Sequence, residues 1–91
     1  MNFAAFDLNL LRVFDAMMRE RSVTRTGEQI GLSQPAVSAA LQRLRDLLDD
    51  RLFVRVGNDM VPTPRAEMLA PGVRDALESL ERLLASERRF D

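Results

Sequence analysis

Gln34, Pro35, Ser38, Ala39 and Gln42 are the side chains in this sequence best suited to chemistry with a partner. On a helix that starts near residue 34 they fall on one outward face. Two amides, a hydroxyl, a ring and a methyl are short, uncharged groups that hydrogen-bond or touch other methyls. A face meant only for water would favour Glu and Arg, whereas base edges in a major groove suit this set. Arg43 and Arg45 follow, and a guanidinium fork matches a phosphate. The plainer alternative for both is solvation, or pairing with Asp46 and Asp49 about one turn away.

The elements that must position them lie in residues 23–42, VTRTGEQIGLSQPAVSAALQ. Ser22 can cap a first short helix and Ser33 a second. Gly31 can end the first in the left-handed conformation, and Leu32 plugs the corner. Pro35 falls in the first turn of the second helix, where a missing N–H does no harm. Gly27, then Gly31, then Val37 supply a close approach, a corner and a branched filler. That spacing is a helix-turn-helix pattern. A helical hairpin with a glycine corner would have the same spacing.

The rest of the chain reads as support. Ninety-one residues with 46% hydrophobic and 30% charged content make one small globular domain. With no Cys and no His, a disulfide framework and a zinc site are not expected, and the usual general base is missing. Nothing pairs a nucleophile with a base, so an enzyme is not expected. No apolar run approaches a membrane span and no signal peptide opens the chain, so a cytoplasmic protein without membrane or metal partners is expected. The net charge is −1, unusual for a nucleic-acid partner, but it is unevenly placed. Residues 22–45 carry three arginines against Glu28 alone, and residues 66–91 carry four arginines against six acids. All thirteen basic residues are Arg.

Residues 1–6 read as a loose arm. Asp7 caps a helix expected over 8–19, with Leu8, Leu11, Val13, Phe14, Met17 and Met18 buried, Leu10 near the edge, and Arg12, Asp15, Arg19 and Glu20 on the far side. Residues 52–62 alternate and turn at Gly57-Asn58-Asp59, a hairpin that would pack through Phe53 and Val61 and carry Arg55 outward. Arg55 would suit a minor groove. Thr63 and Pro64 open a long helix with an apolar stripe through Leu69, Val73, Leu77, Leu80 and Leu84. A domain this small cannot cover all of that stripe, so a dimer through these five residues is expected, with 77–84 exposed unless a second copy covers them; the alternative is a helix folded back over its own domain. Pro71 should kink the helix, and residues 86–91 read as frayed.

Three segments together resemble the amino-terminal region of LysR-type transcriptional regulators: DLNLLRVFDAMMRERSVTRTGEQIGLSQPAVSAALQRLRDLL, LFVR and MVPTPRAEMLAPGVRDAL. The likeness is greatest to the branch of nodulation and aromatic-degradation regulators. It implies a mainly α winged helix-turn-helix over 7–64, with the motif at 23–42 and the wing at 52–62, then a linker and dimerisation helix over 64–88. It implies homodimeric binding to a dyad-symmetric double-stranded DNA site, with tetramers in the full-length protein. It puts Ser33, Gln34, Pro35 and Ser38 at the DNA, Arg55 in the wing and Thr63 beside a phosphate. Thr26-Gly27 stands where many members have two alanines, and Gly27 should weaken the helix by up to about 1 kcal/mol. Such regulators carry a C-terminal domain for a small-molecule inducer, so this chain reads as an excised or truncated DNA-binding part with no cofactor of its own. The rival reading is a winged-helix module for protein interaction or dimerisation, kept open by the near-neutral charge.

Overall fold

The structure, a computed structural model, describes residues 2–88. Helix α1 spans Leu8–Glu20, α2 Val23–Ile30 and α3 Gln34–Leu48; strands β1 (Phe53–Val56) and β2 (Asp59–Pro62) follow, then α4 (Pro64–Arg88). Each of the four helices begins at a side-chain cap. Asp7 Oδ1 accepts from Leu10 N–H at 3.0 Å, and Ser22 and Ser33 accept from Arg25 and Ala36 at 3.2 Å each. Thr63 Oγ1 does the same for Ala66 N–H at 3.2 Å. These oxygens satisfy N–H groups that the first turn of a helix leaves without partners. Gly31 (φ 74°) and Asp49 (φ 51°) end α2 and α3 in the left-handed conformation.

Gly27 sets the crossing of α2 and α3. A Cβ there would lie 2.5 Å from Leu32 O and 3.5 Å from Val37 Cγ2. The helix-propensity penalty expected at Gly27 is therefore the smaller effect: an alanine would have to push the corner apart.

One core holds the elements together. Leu10, Val13, Phe14 and Met17 of α1 meet Val37, Leu41 and Leu44 of α3, with Leu52, Phe53 and Ala66 closing the far side. The Phe14 and Phe53 rings, centroids 6.0 Å apart and tilted by 57°, tie α1 to the wing.

Several expectations are corrected. Leu8, at the first helical position, is 48% exposed, while Leu10 is buried with Val13, Phe14 and Met17 at helical spacing. Asp15 is buried as well, because α4 lies against its side of α1 and brings Arg74 to 2.8 Å. In the wing, Phe53 pairs with Pro62 and Arg55 with Met60, so Met60 and Pro62 face inward and Val61 faces out. The arm is not loose throughout: Phe3–Ala5 forms a 3-10 turn capped by Asn2. Helix α4 runs on through Pro71 and through residues 86–88, and residues 89–91 lie outside the described residues. Its Leu69 and Val73 rest partly buried on the domain's own core, and Leu77 is buried there. Leu80, Leu83 and Leu84 remain exposed.

Candidate nucleic-acid interface

The α3 face is built as the sequence suggests. Val37, Leu41 and Leu44 anchor one side of the helix, which turns Gln34, Pro35, Ser38, Ala39 and Gln42 outward, all exposed. Ser33 is exposed beside them with its hydroxyl engaged as the cap. Gln42 Nε2 donates to Asp46 Oδ1 at 3.1 Å. Gln34 and Ser38 make no side-chain hydrogen bond among the described residues, so nothing in the fold uses their polar atoms.

The wing stands beside this face. A groove of about 290 Å³ runs between them, and Ser38, Arg45, Arg51 and Arg55 are among its lining residues. Arg55 is exposed and forms no ion pair among the described residues. Arg25 on α2 and Arg51 before β1 share that condition and were not singled out from sequence. The signal was present for Arg25, which belongs to the basic stretch, but nothing local distinguishes a free arginine from a paired one.

Three expected residues are placed differently. Arg43 Nη2 donates to Ala5 O at 3.2 Å and Nη1 lies 3.6 Å from Asp7 Oδ2, so it holds the N-terminal turn, not Asp46 or Asp49. Arg45 donates to two backbone carbonyls, of Arg51 and Phe53. Thr63 is half-buried, and its hydroxyl donates to Asp50 Oδ2 at 2.7 Å. A hydroxyl has one proton to give, and this one is spent on a carboxylate. In this structure Thr63 therefore serves as the cap of α4 and a donor to Asp50. The hydrogen bonds from Thr63 and from Leu52 N–H, with Arg65 nearby, hold the Asp50 carboxyl below its ordinary pKa. Among the described residues no group of side chains could hold a metal, and no helix is long and apolar enough to cross a membrane.

Three helices, a two-stranded wing and a long following helix define a winged helix-turn-helix. Residues 8–67 match the family described as bacterial regulatory helix-turn-helix protein, lysR family, and the chain belongs to that family. It is 57% identical over 77 residues to nodulation protein D 1 of Rhizobium leguminosarum bv. phaseoli, covering 85% of this chain and 24% of that protein. It is 50% identical over 91 residues to nodulation protein D 2 of Rhizobium tropici, covering 100% of this chain and 29% of that one. The chain thus spans between 24% and 29% of the length of these curated relatives. Among solved structures, the probable transcriptional regulator PA0477 from Pseudomonas aeruginosa superposes with a TM-score of 0.85 at 51% identity, over 89% of this chain and 27% of that one. The BenM_DBD/catB site 1 DNA complex shares the fold, with a TM-score of 0.85 at 24% identity over 93% and 96% of the two chains. The family is one of regulators and not of enzymes.

Proposed function

We propose that this chain is the sequence-specific DNA-binding domain of a bacterial transcription regulator. It binds a dyad-symmetric site in double-stranded DNA as a homodimer, with α3 in the major groove and the wing at the minor groove. The observation that carries this reading is the α3 face itself: polar groups of Gln34 and Ser38 that the fold does not use, with Ser38 sharing a groove with Arg51 and Arg55, which form no ion pair among the described residues. The winged fold of BenM_DBD in a DNA complex supports it. Gln34 reads a base edge as a bidentate amide, with adenine as its natural partner, and Pro35 touches a thymine methyl. Ser33, Ser38, Ala39 and Gln42 complete the contact face. Arg43 can leave its exposed pairing with Asp7 for a phosphate, since such pairs contribute under about 1 kcal/mol.

The second copy meets α4 at Leu80, Leu83 and Leu84, where apolar surface remains uncovered. In the whole protein, a further domain takes the small-molecule inducer, dimers pair into tetramers, and the regulator works in the cytoplasm.

The test is a gel-shift series over promoter variants. Gln34→Ala should cost about 1–3 kcal/mol of binding and relax the preference at one position. An unchanged preference would remove Gln34 from base reading. A salt titration separates the protein-interaction rival: affinity should fall steeply with salt, and no binding at low salt would favour the rival.

A further inference from the structure

Between α3 and the wing the chain holds a leucine where leucine is costly. Leu52 has φ 62° and a fully buried side chain. Across it, Phe53 N–H bonds to Arg51 O at 2.6 Å, which makes the positive-φ γ-turn, a rare and strained three-residue turn. Such backbone persists only where its surroundings over-determine it.

Four further hydrogen bonds do that here. Leu52 N–H donates to Asp50 Oδ2 at 2.8 Å, and Leu52 O accepts from Thr63 N–H at 2.9 Å. Arg45 supplies the other two. Its Nε donates to Arg51 O at 2.8 Å and its Nη2 to Phe53 O at 3.1 Å. One side chain of α3 therefore brackets the strained residue, taking the carbonyl on each side of it. A planar fork suits this, because it holds two donors at a fixed spacing that an ammonium group does not offer. Although Arg45 sits among Asp46, Asp49 and Asp50 in sequence, it forms no ion pair among the described residues. Its donors face the backbone.

We propose that Arg45 is a positioning residue: it fixes the wing at a set offset from α3 and neutralises no phosphate. Arg55 and the first turns of α3 then meet the duplex in register. This rests on the DNA-binding reading, and the tests keep the two apart.

The first test is hydrogen exchange on the free chain. In Arg45→Met, amides of β1 and β2 should exchange about tenfold faster, with α1 little changed. An equal rise everywhere would make Arg45 a general stabiliser and overturn the proposal. The second is selection from a random DNA pool with a salt titration. Arg45→Met should keep the wild-type salt slope and the α3-read positions, and lose preference at the positions under the wing. A slope reduced by about one would make Arg45 a phosphate contact and overturn the proposal. Arg45→Lys keeps the charge without the bracket and should resemble Arg45→Met in both tests. Rescue of the wing-site preference by Lys would mean that charge and not the bracket matters, and would overturn the proposal. Should Arg45→Met fail to fold, Arg45→Lys carries the exchange contrast and the preference under the wing, and wild-type behaviour in both would overturn the proposal. If the wild type binds no duplex at low salt, the DNA reading fails, and the exchange contrast still decides the bracket.

Discussion

The face made by α3 and the wing and the face made by α1 and α4 use the same residue, arginine, in opposite ways. On the α1–α4 side arginines meet acids. Asp15 takes Arg19 at 2.5 Å and Arg74 at 2.8 Å, Arg74 also lies 3.3 Å from Glu81, and Arg82 approaches Glu78 at 3.9 Å. Arg74 Nε is 3.2 Å from Glu78 Oε1, near enough for attraction but without the alignment of a hydrogen bond. On the α3–wing side Arg45 holds neutral carbonyls, Arg51 and Arg55 hold nothing among the described residues, and the acid pairing there is the long, exposed 3.6 Å contact of Arg43 with Asp7. The net charge of −1 averages over these two arrangements. What a phosphate would meet is the local set of unneutralised cations, and that set sits beside α3.

The largest way to break this contrast is Asp15→Ala. It strips the shared partner from Arg19 and Arg74 beneath α4. Full burial would make the loss about 3–5 kcal/mol. The arginine side chains are 45% and 33% exposed, so solvent reduces it to about 1–3 kcal/mol. The urea midpoint should fall with an unchanged slope, while DNA affinity of the folded fraction stays as it was. A selective loss of DNA affinity at unchanged stability would mean the two faces are not divided as described.

Arg55→Ala is the complementary change on the other face. Stability should move by less than about 0.5 kcal/mol, since the side chain is exposed and forms no ion pair among the described residues. Affinity should fall by a few-fold to tenfold at low salt, and the salt slope should drop by about one. Unaltered slope and affinity would take Arg55 out of the interface.

The division between the faces was only partly legible in the sequence, and the limit is physical. The caps Asp7, Ser22, Ser33 and Thr63 and the stop at Gly31 are local, because each acts within one helical turn, and they were readable. So was the outward face of α3, which follows from helical spacing alone. Asp15 was misplaced because its partner Arg74 is 59 residues away. Val61 was misplaced because a one-residue shift of register turns a strand over, and Met60 and Pro62 face inward instead. The bracket by Arg45 depends on the positive φ at Leu52, and no leucine in a sequence announces that. Gly27 shows a middle case. Its smallness was recognised, but only Leu32 O at 2.5 Å makes alanine the worse residue there. Thr26 is fully buried with a hydroxyl that has no partner among the described residues, and nothing in the structure explains why it is not valine.

Asp50 gives the smallest expected effect and the sharpest one, since it is an acid working on the arginine-rich side. Its carboxylate accepts from Thr63 Oγ1 and Leu52 N–H, which hold its folded pKa below the ordinary 3.8. A lowered pKa means the folded state favours the ionised form. The stability it contributes is therefore complete above 3.8 and is lost as pH falls below that value through the folded pKa. Asp50→Asn keeps the shape and removes the titration. Urea unfolding across the acid range should show a wild-type advantage over Asp50→Asn at neutral pH that fades only at the acid end. The size stays small because the group is partly exposed. A wild-type advantage that instead grew as pH fell would mean Asp50 is held protonated. The knot joining α3, the wing and the start of α4 would then be made by a different hydrogen-bond pattern.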